Sequence, residues 1–465
     1  MTIKSRSKPE TSTEAHTRAL AKAYGNQFLR RDNKFYDIDH LGTPLSRVDV
    51  ETMILNRIRE EHPDVSLSNE ILKGLFRLLI DTRHTDIDRC FQVWSGATVC
   101  EPGNTKRLVM SRGAASANTW VEPDYRQLKL NAADCGVIEE FFDTFFQCRE
   151  DREQFLNWVA WCLQNEGDKP SWAPFLYSKG KGTGKSTTCR ILTELFGVKN
   201  TVTQNNVSKL TQQFNATVLT SKLIICEETQ IKPGSAQGNA IKTFITDPHV
   251  QIERKGLEAE RAKQCCCFVF TSNYAPTWMD EGERRYLVID VNHEGRSGGS
   301  KAAEFAQLVE KVHHILDDTA SVARLYNALM QRVIPASFSA KSLNVADHAT
   351  PIMLRLQQAS RQTILDQLDE LLNERGLVVL PEANVVEFVR KNLNANINQT
   401  KHLMDDLEWQ KTKVKWGGKD FARAIWVKPG FWIDRGKVYG PDFEAERVSD
   451  YLDRHDPAAD VEIIE

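Results

Sequence analysis

The sequence predicts an α/β protein built around a parallel sheet that binds phosphate, and three observations carry that prediction. Phe175-Leu176-Tyr177 is a short apolar run, followed by a loop with glycines at Gly180, Gly182 and Gly184 and then by Lys185-Ser186. The segment after the loop is apolar at Ile191, Leu192, Leu195 and Phe196, the spacing of a helix, and Gly197 stands as its C-cap. Two more apolar runs, Leu223–Cys226 and Cys267–Phe270, end in polar residues. Buried parallel strands do this where they open onto a ligand crevice.

Strand, glycine loop, Lys-Ser and helix together make a P-loop, and each part has a physical task. Glycines let backbone N–H groups turn inward around phosphates where a Cβ would collide. Lys185 supplies a mobile cation for the β/γ-phosphates, and the Ser186 hydroxyl suits Mg²⁺. The expected ATP contacts are Gly180, Gly182, Thr183, Gly184, Lys185, Ser186 and Thr187. The strict pattern has glycine where this chain has Lys179, so Gly180 is expected to take that role in a shifted turn.

The acids Glu227 and Glu228 end the Leu223 run, where hydrolysis needs two carboxylates with different tasks. By order, Glu227 is assigned to the metal and Glu228 to activation of water. The Cys267 run ends in Thr271-Ser272-Asn273, and Asn273 is expected to orient the attacking water. Arg284-Arg285 precedes a further strand, Tyr286–Val291, and suits a finger offered to a neighbour's ATP; the plainer reading is a surface pair. Val250–Gly256 reads as a hairpin with Arg254 and Lys255 at its tip, or as a solvated charged turn. Asp37-Ile38-Asp39 has the acid spacing of a polymerase metal site, but no further nucleotide-transfer apparatus lies nearby, so a turn is expected.

Composition bounds the rest. A chain of 465 residues with 41% hydrophobic and 26% charged residues fits a multi-domain protein with large cores. The net charge of -3 gives no global basic signal, so nucleic-acid contact must come from local patches. Ten cysteines show no C-x-x-C pair, and the Cys265-Cys266-Cys267 run suits a buried strand in a reducing compartment. No apolar run reaches a membrane span, and the polar start lacks the core of a signal peptide, so a cytoplasmic protein without membrane contact is expected. Three regions are predicted: an accessory α/β region at 1–130, an ATPase domain with leading helices at 131–335, and a C-terminal domain at 336–465. In the last, helices at 355–373, 384–393 and 398–407 precede a strand pair, Ala422–Val427 and Gly430–Asp434, which reads as a winged helix. Cations from Lys413 to Lys437 alternate there with Trp416, Trp426 and Trp432, and fit either DNA contact or a solvated face over a small core.

The order of P-loop, apolar-Glu-Glu, Val-x-Ile-x-x-Lys, apolar-Thr-Ser-Asn and Arg-Arg resembles that of superfamily 3 helicases. It is most similar to the phage and plasmid primase–helicase group, to which poxvirus primase–helicases are related. The resemblance covers Glu153–Val291 strongly and Trp120–Ser171 weakly. It implies an AAA+-type ATPase using ATP and Mg²⁺, assembled as a homo-hexamer around single-stranded DNA and moving typically 3′ to 5′. Lys255 matches the lysine that members place on a pore hairpin, and members often carry a C-terminal winged helix. The expectation is therefore a DNA helicase for replication of a phage or mobile element in a bacterial host, with a primase or initiator as possible partner. A bifunctional primase–helicase, a non-translocating ATP-switch initiator or loading factor, and a small-molecule kinase are the alternatives.

Overall fold

The computed structural model describes residues 12–64, 67–81, 90–205, 207–211, 219–231, 235–252, 260–276, 283–291, 296, 298–374, 376–392, 400–416 and 420–455. The chain divides into two compact units, 1–276 with 282–350, and 277–281 with 351–465. Both mix helices with strands. Among the described residues no helix is long and apolar enough to cross a membrane.

The first unit opens with helix α1 (Ser12–Tyr24), strands β1 (Phe28–Arg31) and β2 (Lys34–Asp37), and helices α2 (Arg47–Glu61) and α3 (Asn69–Phe76). Strands β1 and β2 pair as an antiparallel hairpin. Its two-residue turn, Asp32-Asn33, has positive φ at both positions, which matches the twist of paired strands. Ser46 caps α2 in a reciprocal box with Asp49, and the Ser68 hydroxyl caps α3 by accepting from the Ile71 N–H. Strands β3 (Gln92–Val99), β4 (Leu108–Ser111) and β5 (Ala114–Asn118) complete a mixed sheet in the order β2-β1-β3-β5-β4. Tyr24, Phe28, Ile54, Ile58 and Leu75 pack together as one core of this region.

Helices α4 (Gly136–Phe145) and α5 (Arg149–Gln164) lead into the second sheet. The stripe Phe155, Trp158, Val159 and Leu163 on α5 is buried, as its spacing predicts. The sheet contains β6 (Ala173–Tyr177), β7 (Thr201–Gln204), β8 (Leu223–Cys226), β11 (Cys267–Ser272) and β12 (Tyr286–Asp290). Its order is β12-β6-β11-β8-β7, and every pairing is parallel. Helix α6 (Lys185–Phe196) follows β6, and α7 (Ala236–Thr246) precedes the antiparallel pair β9 (His249–Ile252) and β10 (Glu260–Lys263). Helices α8 (Ala302–Asp317), α9 (Thr319–Gln331) and α10 (Val345–His348) close the unit.

Strands β8 and β11 are buried along their whole length, so the alternation of a half-buried strand is absent and only continuous apolar runs remain. Lys222, immediately before β8, is almost fully buried. Its ammonium donates to the carbonyls of Glu166, Asp168 and Cys265 at 2.8, 3.0 and 3.1 Å. Those bonds satisfy a charge that burial would otherwise penalise, and they tie the start of β8 to the chain entering β6 and β11.

The second unit contains α11 (Pro351–Glu374), β13 (Val379–Pro381), α12 (Glu382–Asn392), α13 (Thr400–Asp406), β14 (Gln410–Val414) and β15 (Arg423–Val427). Strands β16 (Trp432–Asp434), β17 (Lys437–Gly440) and β18 (Phe443–Arg447) and helix α14 (Val448–His455) follow. The expected pairing of Ala422–Val427 with Gly430–Asp434 is corrected. Strand β15 lies between β13 and β14, whereas β16 pairs with β17 in a separate three-stranded sheet. Ile425 and Trp426 are fully buried, so β15 needs a partner on each side, and the Pro429-Gly430 turn carries the chain from one sheet to the other. Leu368, Val389, Met404, Trp426 and Tyr451 share the unit's core.

Candidate functional site

The register of the parallel sheet gathers the polar strand ends at one edge. Ser272 pairs with Tyr177 and Phe270 with Cys226, so β6, β8 and β11 finish together. A cavity of about 660 Å³ lies there, within the usual range for a small-molecule site. It is lined by the loop from Lys181 to Thr187, by Glu227 and Glu228 after β8, by Thr271 on β11 and by Asn273 just after it. Gly182, Thr183, Gly184, Lys185, Ser186, Thr187, Glu227, Glu228 and Asn273, all expected at the site, thus share one wall-to-wall space.

Local backbone shape explains the glycines that matter. Gly182 and Gly184 have φ of 72° and 101°, values that side chains resist. A Cβ on Gly184 would also meet the Phe141 ring at 3.1 Å and the Phe145 ring at 3.2 Å. The first turn of α6 follows directly, so its unpaired N–H groups and positive dipole end face the cavity, an arrangement suited to an anion. Gly180 lies outside the lining; its carbonyl accepts from the Ser178 hydroxyl at 2.7 Å, and Lys179 is exposed.

Lys185 reaches across the cavity. Its Nζ donates to Asn273 Oδ1 at 2.8 Å and also to the Ser178 hydroxyl. Burial pushes this ammonium below its usual pKa, a penalty that an anionic ligand would relieve. Glu228 adopts a left-handed φ of 49°, uncommon for a residue with a side chain. The chain is anchored on both sides of it, because the Glu227 N–H donates to the Gln204 carbonyl and the Thr229 N–H to the Thr271 carbonyl, each at 2.9 Å. The turn exposes Glu228 while Glu227 stays half-buried, so the two acids meet different environments. The Ser186 hydroxyl and the two carboxylates form a set of hard oxygen donors, which fits Mg²⁺.

A family model described as "Family of unknown function (DUF5906)" matches residues 176–285, the stretch from the loop strand to the start of β12. The chain is similar to the "DNA Primase-polymerase" of Nitratiruptor phage NrS-1, at 23% identity over 265 residues. That match covers 54% of this chain and 35% of the phage protein, so the chain spans about a third of the relative's length. Its fold is similar to the apo structure of the NrS-1 C terminal region (305-718), with a TM-score of 0.55 at 16% identity, covering 90% of this chain and all of that one. The A form of the same region gives a TM-score of 0.53 at 16% identity, covering 90% and 100%.

Several residues at the cavity carry no signal in the sequence. Arg296 lines it and donates to the Thr144 carbonyl at 2.6 Å, although it sits in a glycine-bearing linker that reads as a loop. Asn205 follows β7, and Ala302, Phe305, Ala306 and Val309 present an apolar wall from α8. The helical period of α8 is visible in the sequence, but which face meets a ligand depends on tertiary packing.

Other expected residues lie elsewhere. Arg284 is exposed, and Arg285 is held by Glu283, at 3.2 Å from its carboxylate, with Lys242 on the same buried acid at 2.8 Å. Both arginines precede β12, whose first residue pairs with Ala173 at the start of β6, so they occupy the sheet edge opposite the cavity. Arg254 and Lys255 lie outside the described residues; the strands flanking them, β9 and β10, pair as the hairpin reading requires. Asp37 is buried against Arg57, and Asp39 bonds Arg107 at 2.7 Å. Burial would raise the Asp39 carboxyl, but the Arg107 hydrogen bond and charge outweigh it and hold the group below its usual range. These two acids are therefore committed to arginines.

Proposed function

We propose that this chain is an ATP-driven DNA motor of a phage-type replication system, a P-loop ATPase with an AAA+-like core acting as a helicase. The observation that carries the reading is the convergence of Lys185, Ser186, Glu227, Glu228 and Asn273 on one cavity at the carboxyl ends of parallel strands. Similarity to a phage DNA primase-polymerase supports the replication setting.

In this reading the loop N–H groups and Lys185 bind the β- and γ-phosphates and neutralise charge that grows in the transition state. Glu228 takes the proton of the attacking water, and Asn273 holds that water in line. Ser186 and Glu227 would hold Mg²⁺, which supplies further neutralisation of phosphate charge when bound. The apolar wall of α8 gives a nucleobase a surface away from water. Because β11 lies between β6 and β8, Asn273 stands between the phosphate loop and the acids, as a water-orienting group must.

Strand β6 is five residues, or about 16 Å, long, and Arg284 precedes the strand that pairs with its start, so a strand's length separates Arg284 from its own loop. An exposed arginine there serves a neighbouring subunit, which supports a ring, taken as a homo-hexamer, in which Arg284 acts in trans. Arg254 and Lys255 are assigned to the single-strand path. In the second unit the order helix, strand, helix, helix, strand, strand, with β13 and β14 flanking β15, supports a winged-helix-like module.

The test is ATP hydrolysis by the purified chain with and without single-stranded DNA, beside separation of a tailed duplex and native mass with an ATP analogue. Stimulated hydrolysis, strand separation and an oligomer are expected. A monomer that hydrolyses ATP without response to DNA and separates no duplex would sink the motor reading. The committed pairs of Asp37 and Asp39 give no support to a polymerase site at those acids.

A further inference from the structure

The sheet β16–β18 presents an exposed face that neither the ATPase core nor the winged-helix-like part accounts for. Its register sorts the side chains into two sides. Trp432 pairs with Tyr439, Ile433 with Val438, and Asp434 with Lys437; Lys437 also pairs with Arg447. Val438 is fully buried and Ile433 packs against the unit's core, so that pair marks the inner side. Directly paired residues share a side and the side alternates along each strand, so Trp432, Tyr439, Asp434, Lys437 and Arg447 share the outer one.

On that side the Trp432 and Tyr439 rings lie parallel, 5.9 Å apart with 12° between their planes. Trp432 is 55% exposed, an unusual amount for the largest apolar side chain, and Lys437 and Arg447 are exposed beside it. The fold holds the platform rigid from beneath. The Phe431 and Phe443 rings meet edge-on at 5.6 Å and pack toward the core, and Phe431 lies against Gly440, where a Cβ would meet its ring at 2.2 Å. Lys437 and Arg447 pair directly and set two cations side by side on this face with Asp434, while the exposed Glu444 lies further along β18 at its irregular end.

We propose that the outer face of β16–β18 binds single-stranded nucleic acid, with bases stacking on Trp432 and Tyr439 and the backbone running past Lys437 and Arg447. A flat aromatic pair offers a π-face to any base, and the adjacent cations meet phosphates without reading sequence. A duplex keeps its bases stacked on one another and cannot use the rings. The inference stands apart from the ATP reading, because a chain that hydrolysed no ATP could still bind a strand here.

The experiment uses the full chain with short labelled oligo-dT, oligo-rU and a duplex of equal length. It reads affinity over a salt series, together with ultraviolet crosslinking of 5-iodouracil-substituted strands mapped by peptide mass. Crosslinks on the peptide carrying Trp432 or Tyr439 are expected with single strands and not with duplex. Trp432→Ala should weaken binding about 10-fold, and Trp432→Phe should keep most of it. Replacing Lys437 and Arg447 by Gln should flatten the salt slope by about 0.7 per cation. A preference between dT and rU names which nucleic acid is carried, and either supports the proposal. Crosslinks confined to other peptides, equal labelling by duplex, unchanged affinity in a folded Trp432→Ala variant, or an unchanged salt slope in the Lys437/Arg447 variant would overturn it. If Trp432→Ala fails to fold, the Lys437/Arg447 variant and the wild-type crosslinks still decide the matter.

Discussion

At the scale of single residues, Lys185 already has partners in the cavity. Its ammonium donates to Asn273 and Ser178, so on the proposed reading nucleotide binding exchanges one set of partners for another, and the measured affinity is a difference. Asn273→Ala frees Lys185 for phosphate while removing the group that aligns water. The variant should bind an ATP analogue no more weakly than wild type while turnover falls about 100-fold. Equilibrium binding and single-turnover rates separate the two effects, and equal losses in both would contradict the assignment. Away from the site, Asp151 in the first turn of α5 has its pKa raised to about 6 by burial, with the Glu150 and Asp290 charges adding to it. An unfolded Asp titrates near 3.9, so between about pH 4 and pH 6 the folded state keeps a proton that the unfolded state has lost, and stability falls as pH rises. Asp151→Asn should therefore gain about 2 kcal/mol above pH 7, after discounting for partial exposure, and nothing below about pH 4. Urea unfolding at both pH values checks this. The residues with local chemistry (Lys185, Ser186, Glu227, Glu228 and Asn273) were legible because short-range spacing defines their setting. Arg296 and Asn205 were not, because the backbone brings them to the cavity from segments with no periodic signal.

At the scale of elements, the loop and α6 depend on what lies beneath them. Gly184 needs its positive φ and also touches Phe141 and Phe145, which ties the phosphate-facing loop to the aromatic face of α4. Gly184→Ala should cost about 1–3 kcal/mol and lose most ATP-analogue binding, because the added methyl must displace either the loop or the rings. Thermal melting beside analogue titration reads both, and a variant that melts and binds normally would remove the packing argument. The strand, loop and helix from Phe175 to Phe196 and the runs Leu223–Cys226 and Cys267–Phe270 were legible, because their apolar spacing is set locally. The misreading at β15 has a physical cause. Two strands around a Pro-Gly turn resemble a hairpin in sequence, but pairing is decided by which neighbours can cover Ile425 and Trp426. Strand β14, with alternating Lys and Thr, carries too little apolar signal to reveal itself alone.

At the scale of the whole molecule, one sheet holds the candidate site and the proposed arginine finger at its two ends. The cavity lies at the carboxyl ends of its strands, and Arg284 lies at the opposite edge. On the proposed assembly, each chain then carries half of two different reaction centres and completes neither. Specific ATPase activity should rise with protein concentration until rings fill, whereas a self-contained site would give a constant value per chain; sedimentation beside rate measurements distinguishes the two. Arg284→Ala should slow turnover about 1,000-fold at saturating concentration without loss of ATP-analogue binding. Because each defective chain spoils a neighbour's centre, adding the variant to wild type should depress activity more steeply than dilution alone. On that assembly, the direction of the β-strands makes a faulty copy a poison rather than a passenger.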